Sequence, residues 1–82
     1  MRKNKTADGK WNLCGAKIAQ LRMQINPDCS QRALADKLQL MGLDMTKNTI
    51  QTIEAGERTV SDIELKAFAQ LFGVTVDELL SE

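Results

Sequence analysis

One short pattern recurs four times in this chain: an apolar residue, then Ser or Thr, then another apolar residue four positions on. Cys29-Ser30 pairs with Leu34, Met45-Thr46 with Ile50, Val60-Ser61 with Leu65, and Val74-Thr75 with Leu79. A Ser or Thr hydroxyl accepts from the amides that a helix's first turn leaves unpaired, and the flanking apolar pair clips the entering chain onto that turn. Two of the four also carry a carboxylate three residues after the hydroxyl, Ser61 with Glu64 and Thr75 with Glu78, which completes a reciprocal capping box. Four helix starts between Cys29 and Leu79 leave room only for short helices. Strands find no support, because β-branched residues are scattered and strict apolar–polar alternation never persists. The expected fold is all-α.

The helices follow from these starts. A first helix has Asn12 as its cap and an apolar stripe of Cys14, Ile18, Leu21 and Ile25, and Asn26-Pro27 stops it. The second runs from about Gln31 to Leu40 with Leu34, Ala35 and Leu38 inward, and Gly42 is its left-handed stop. The third runs from about Lys47 to Ala55 with Ile50 and Ile53 inward, closed by Gly56. The fourth runs from about Asp62 to Phe72 with Leu65, Phe68, Ala69 and Phe72 inward, and stops at Gly73. The fifth, about Val76 to Leu80, docks Leu79 and Leu80 onto the bundle. Residues 1–11 show no helical periodicity and are expected to be a flexible basic tail, leaving 12–82 as the folded domain.

Eighty-two residues suit a single small domain. With 43% apolar residues the chain fills one small core and no large internal cavity. Apolar runs are too short for a membrane span, and the polar stretch Met1–Lys10 is unlike a secretion signal, so a cytoplasmic protein is expected. There is no His and no Tyr. Two cysteines without other strong ligands do not make a structural zinc site, and Cys14 and Cys29 sit at apolar helix positions as small hydrophobes. No phosphate-cradling glycine loop, nucleophile elbow or matched acid–base pair is present. No enzyme activity, metal, cofactor or small-molecule ligand is expected.

The formal net charge of zero conceals an uneven distribution. Residues 1–47 hold nine Lys/Arg against four Asp/Glu, and residues 48–82 hold two against seven. Such asymmetry fits a side that faces a polyanion, and equally a basic tail on a mixed surface. The third helix sharpens the question. Its start and outer face carry Lys47, Asn48, Thr49, Gln51 and Thr52, with no acidic residue before Glu54. The helix macrodipole ordinarily favours Asp or Glu in a first turn. An amide-, hydroxyl- and lysine-rich start suits contact with phosphates and base edges instead: Asn and Gln pair with adenine, Lys reaches guanine, and Thr methyls touch thymine. A plain solvated face is the competing explanation.

Three stretches then combine: Ser30-Gln31-x-x-Leu34-Ala35-x-x-Leu38; Thr46-x-x-Thr49-Ile50-x-x-Ile53-Glu54-x-Gly56-x-Arg58; and Leu71-Phe72-Gly73-Val74-x-x-x-x-Leu79-Leu80. In this order and spacing the chain resembles the phage-repressor (Cro/C1, or Xre) helix-turn-helix family over about residues 14–80. The resemblance implies a compact five-helix bundle with the helix-turn-helix at helices 2 and 3. It also implies sequence-specific binding of duplex DNA by a bacterial or prophage transcriptional regulator, a repressor for instance, often as a dimer. By position, Lys47, Asn48 and Thr52 match the base-reading residues, with Gln51 and Thr49 beside them. Gln31 matches a phosphate contact that also braces the third helix; Thr46 is the cap and a further phosphate candidate. Arg58 is a phosphate candidate or a solvated loop charge. Ala35 matches the small residue at the helix crossing. Arg22 and Glu54 match a pair that is salt-bridged in relatives.

The sequence departs from the family pattern in three places. The turn between helices 2 and 3 is about five residues longer than usual, Gln39 to Met45, and its apolar Leu40, Met41, Leu43 and Met45 are expected to pack. The loop after the first helix carries an insertion at Asn26-Pro27-Asp28. Glu57 stands where relatives often have a basic residue. The tail's Arg2, Lys3, Lys5 and Lys10 offer a phosphate or minor-groove arm, or only a solubilising end. Trp11 is expected to cover the core's edge rather than stack on a base. A homodimer contact is expected through Leu79, Leu80 or the Leu40–Met45 insertion. These 82 residues hold no room for a sensing domain, so regulation is expected from another protein, from expression level, or from a longer protein of which the chain is a piece. The rival function is an antitoxin-like or adaptor module that keeps the fold and binds a partner protein.

Overall fold

Each of the four Ser or Thr residues singled out by the pattern caps a helix. The computed structural model describes residues 5–25 and 29–81, and they form α1 (Gly15–Ile25), α2 (Gln31–Leu40), α3 (Lys47–Glu54), α4 (Asp62–Phe72) and α5 (Val76–Leu80), with no strand among the described residues. The hydroxyls of Ser30, Thr46, Ser61 and Thr75 accept from the amides of Ala33, Thr49, Glu64 and Glu78. Capping boxes close at Ser61/Glu64 and Thr75/Glu78, and a third forms at α3, where Thr49 takes the role usually given to Glu. At α1 the Gly15 amide donates to the Asn12 side-chain oxygen at 2.8 Å. The Asn26-Pro27 stop, the Asp28 insertion, and Arg2 and Lys3 of the tail lie outside the described residues.

The core is built from the inward residues of every helix: Cys14 and Ile18; Leu34, Ala35 and Leu38; Ile50 and Ile53; Ala67, Phe68 and Ala69; and Leu79. Cys29 and Met45, each just before a cap, are buried with them, which is how the staples tie helix entry to the core. Both cysteines are free, and burial pushes the Cys14 thiol above its ordinary value. Leu65, Phe72 and Leu21 are only partly buried.

Several expected core positions differ. Ile25, the last residue of α1, is 46% exposed. Leu80 is 38% exposed: a single-turn helix buries one residue well, and that residue is Leu79. In the long turn Met45 is buried and Leu43 packs at the core's edge, whereas Leu40 is 89% exposed and Met41 also faces solvent.

The segment assigned to the tail also has structure. From Thr6 to Lys10 the chain makes a closed turn, with Thr6 N donating to Lys10 O at 2.7 Å and Gly9 N to Thr6 O at 3.0 Å. Lys10 Nζ then donates to Ala55 O, and Trp11 N donates to Gly56 O at 2.8 Å. Residues 5–11 thus lie against the carbonyl end of α3, where a cation is favoured by the helix dipole. Trp11 is half-buried, with Lys5 Nζ 4.8 Å from its ring centroid.

Candidate nucleic-acid interface

α2 and α3 cross with Ala35 buried between them, and Leu34, Leu38, Ile50 and Ile53 fill the space around the crossing. This anchors the inner face of α3 and leaves an outer strip. At about 100° per residue, Lys47, Gln51, Asn48 and Thr52 fan over roughly 140° of the helix circumference, opposite Ile50 and Ile53. Lys47, Asn48 and Gln51 are exposed, and their side chains make no hydrogen bond within the described residues. Thr52 is half-buried and its hydroxyl donates back to Thr49 O at 2.8 Å, so its methyl and the oxygen's acceptor capacity remain for other partners. Thr49 is half-buried on the flank of the strip, its hydroxyl within 3.1 Å of that of Thr46 in the capping box. Thr46 itself is exposed.

The far end of α3 is tied to two other helices through one carboxylate. Glu54 accepts Arg22 Nε at 2.7 Å, Arg22 Nη2 at 3.1 Å and Gln31 Nε2 at 2.9 Å. Arg22 Nη1 also donates to Cys29 O at 2.8 Å, just ahead of α2. The Glu54 carboxylate beside it pushes the Arg22 guanidinium still further from losing its proton. Gln31 is therefore held at the first position of α2, with one N–H and its carbonyl oxygen unengaged within the described residues. Arg58 is differently placed: Nη2 and Nη1 donate to the Glu64 carboxylate at 3.1 and 3.4 Å, which commits much of its charge to the start of α4.

Three contacts near α3 carry no local sequence signal. Asn12 Nδ2 donates to Ile53 O at 3.1 Å and to Arg58 O at 2.7 Å, joining the start of α1 to the end of α3. Gly15 lies so close to α3 that an added Cβ would fall 2.3 Å from Ile53 O. Gln39 Nε2, from the last turn of α2, donates to Met45 O at 2.6 Å. No periodicity marks any of them: those of Asn12 and Gly15 depend on where α3 crosses α1, and that of Gln39 on the path of an irregular turn.

The electrostatics divide along the chain. The first turns of α1, α2 and α3 contain no acidic residue, whereas α4 begins with Asp62 and Glu64 and α5 with Asp77 and Glu78. The one acid on α3, Glu54, is neutralised by Arg22. Helix starts without a carboxylate are thus those of α1, α2 and α3, the last two forming the crossed pair.

The sequence pattern of the Helix-turn-helix family matches residues 18–79, from the middle of α1 to Leu79 of α5. The chain belongs to the Cro/C1-type helix-turn-helix family. This is a DNA-binding regulator family, generally non-enzymatic, and its two-helix motif is here α2 and α3. No curated protein and no solved structure matches the chain in the same comparisons. Among the described residues, no helix is long and apolar enough to cross a membrane and no group of three or more His, Cys, Asp or Glu side chains is placed to hold a metal ion.

Proposed function

We propose that this helix-turn-helix domain binds duplex DNA sequence-specifically as a bacterial or prophage transcriptional regulator, with α3 in the major groove. The observation that carries the reading is the outer strip of α3: Lys47, Asn48 and Gln51 exposed, without partners among the described residues, on a helix start free of carboxylates. These side chains are the donors and acceptors that read base edges, with Thr52 adding its methyl. Gln31 and the amides at the start of α2 grip a phosphate, and Thr46 grips another at the start of α3. Arg58 reaches a phosphate only with the donors that Glu64 leaves over.

A single strip of four side chains discriminates too little to find one site in a genome, since each good base contact contributes about 1–3 kcal/mol. Two copies on a palindrome supply the rest, and a homodimer is part of the proposal. Leu79 is fully buried and takes no part in such a contact; Leu80 and the inserted turn remain its candidates.

A partner-protein module is the second reading. It is favoured by one observation: Ile63, 71% exposed, and Met41 line an open groove of about 300 Å³ between the turn and α4. Salt separates the two. Binding to a duplex should weaken steeply with salt, with a slope of log affinity on log salt of about −0.9 per phosphate contacted. A salt-insensitive association and no duplex binding would favour the protein partner.

A further inference from the structure

The long turn between α2 and α3 makes the start of the reading helix a problem of its own. A chain leaving α2 at Met41 crosses Gly42, Leu43 and Asp44 before it enters α3 at the Thr46 cap. Few main-chain bonds hold this stretch. Met41 and Leu43 donate to Leu38 O, Gly42 donates to Gln39 O, and Met45 N donates to Leu43 O at 3.1 Å. The turn is thereby fastened to α2, yet the one bond that reaches Met45 holds its amide within the turn, and none holds the carbonyl that leads into α3.

One side chain does. Gln39 Nε2 donates to Met45 O at 2.6 Å, across the whole turn. The direction of the bond is unambiguous, since a carbonyl oxygen only accepts and the amide must present its NH2. Met45 is the residue immediately before the cap, and its own side chain is buried in the core. The carbonyl that Gln39 holds therefore belongs to the peptide plane that leads into Thr46. Rotation of that plane would move Thr46, Lys47 and Asn48 together. The other end of α3 is already held, by Asn12 at Ile53 O and by Arg22 and Gln31 at Glu54. With one end secured, the pose of the helix turns on where the other begins.

We propose that Gln39 is a positioning residue that sets the entry of α3 and, through it, the DNA sequence preference of this protein. Gln39 touches no base in this scheme. It acts through Met45 O on the placement of Lys47 and Asn48. The inference rests on the DNA reading proposed above. A base contact tolerates little displacement, whereas phosphate contacts made by flexible or distributed donors tolerate more. Loss of the clamp should consequently damage discrimination more than general affinity.

The test compares the wild-type chain with Gln39→Met, which keeps the length and apolar packing of the side chain and removes its donor, and with Gln39→Glu, which sets an acceptor against the carbonyl. A duplex enriched by the wild-type chain from a random pool and a scrambled duplex of equal length serve as probes. Affinities are measured over a series of salt concentrations, and thermal unfolding is recorded for each variant. The ratio of enriched to scrambled affinity should fall about tenfold in Gln39→Met and further in Gln39→Glu. Scrambled-duplex affinity and the salt slope should stay as in the wild-type chain. A ratio within twofold of wild type in both variants overturns the proposal, as does an equal loss on both duplexes in a variant that remains folded. Should both variants unfold, Gln39→Asn, one methylene shorter, takes their place under the same two criteria. If the wild-type chain enriches no duplex at all, the DNA reading itself fails and the role of Gln39 in it falls too, an outcome distinct from enrichment that Gln39 does not influence.

Discussion

Glu54, at the end of α3, is joined to Arg22 of α1 by two hydrogen bonds of 2.7 and 3.1 Å, with only 8% of the Glu54 side chain and 14% of the Arg22 side chain exposed. The pair is more than a surface contact, because the same carboxylate also takes the Gln31 amide and the same guanidinium reaches the carbonyl ahead of α2. One ion pair thus locks together α1, α2 and α3, and with them the pose of the proposed reading surface.

Removing one partner of such a pair leaves the other charge buried. Arg22→Met should destabilise the domain by about 3 kcal/mol, read as a lower denaturant midpoint at unchanged slope. Adding Glu54→Leu should recover much of that loss, since an apolar pair of similar volume avoids the orphaned carboxylate. A double variant no more stable than Arg22→Met would show that the pair contributes more than mutual neutralisation.

The close approach of α1 and α3 depends on the missing side chain of Gly15. An added Cβ would press against Ile53 O and the Asn12 side-chain oxygen. Gly15→Ala should therefore cost about 2 kcal/mol despite alanine's better helix propensity, lowering the melting temperature by about 10 °C. An unchanged melting temperature would mean that α1 shifts freely against α3.

Stability should depend on acid through Glu64. Burial raises its pKa, but the Ser61 amide and the Arg58 guanidinium outweigh this and hold the carboxyl below its ordinary value. A carboxyl lowered in the folded state stabilises it above the unfolded value, about 4.3, and the stabilisation disappears as pH falls through the lower folded value. Wild type should therefore melt higher than Glu64→Gln at pH 7, and the difference should shrink below about pH 4. A gap that is constant from pH 7 to pH 3 would assign the effect of the substitution to packing or capping instead.

Base reading and phosphate binding should separate by mutation. Asn48→Ala should relax the sequence preference and leave affinity for scrambled duplex nearly unchanged. Gln31→Ala should weaken binding to all sequences alike and leave the salt slope nearly unchanged, because the neutral amide releases no counterion. Uniform loss in both variants would contradict the roles assigned to them.

Much of this architecture was legible from local pattern. The staples at Ser30, Ser61 and Thr75 marked α2, α4 and α5 with the bounds observed, and α3 ends one residue earlier than its apolar spacing suggested. Capping is legible because it is made within four residues of chain. The failures share the opposite property. Ile25, Leu80, Leu40 and Met41 look like core by type, yet whether they are covered depends on where neighbouring helices end. The turn at Thr6–Lys10 is closed by its own bonds, but its seat against α3 is made by Lys10 and Trp11 on Ala55 and Gly56, more than forty residues away. Gly15 is silent for the same reason, and Gln39 because its partner lies in a turn that has no periodicity. In the candidate interface, the outer strip of α3 was readable from helical phase alone, since Ile50 and Ile53 fix which face points inward. The internal engagement of Arg58 with Glu64 was not, because a loop has no phase to read.

The central claim, that α3 reads duplex DNA through Lys47, Asn48, Gln51 and Thr52, is tested most directly by selection of binding sites from a random duplex pool with the full chain. The account predicts enrichment of one short motif, repeated as a palindrome if two copies bind, and its disappearance with Asn48→Ala. A pool that remains random after repeated rounds with folded protein would contradict it.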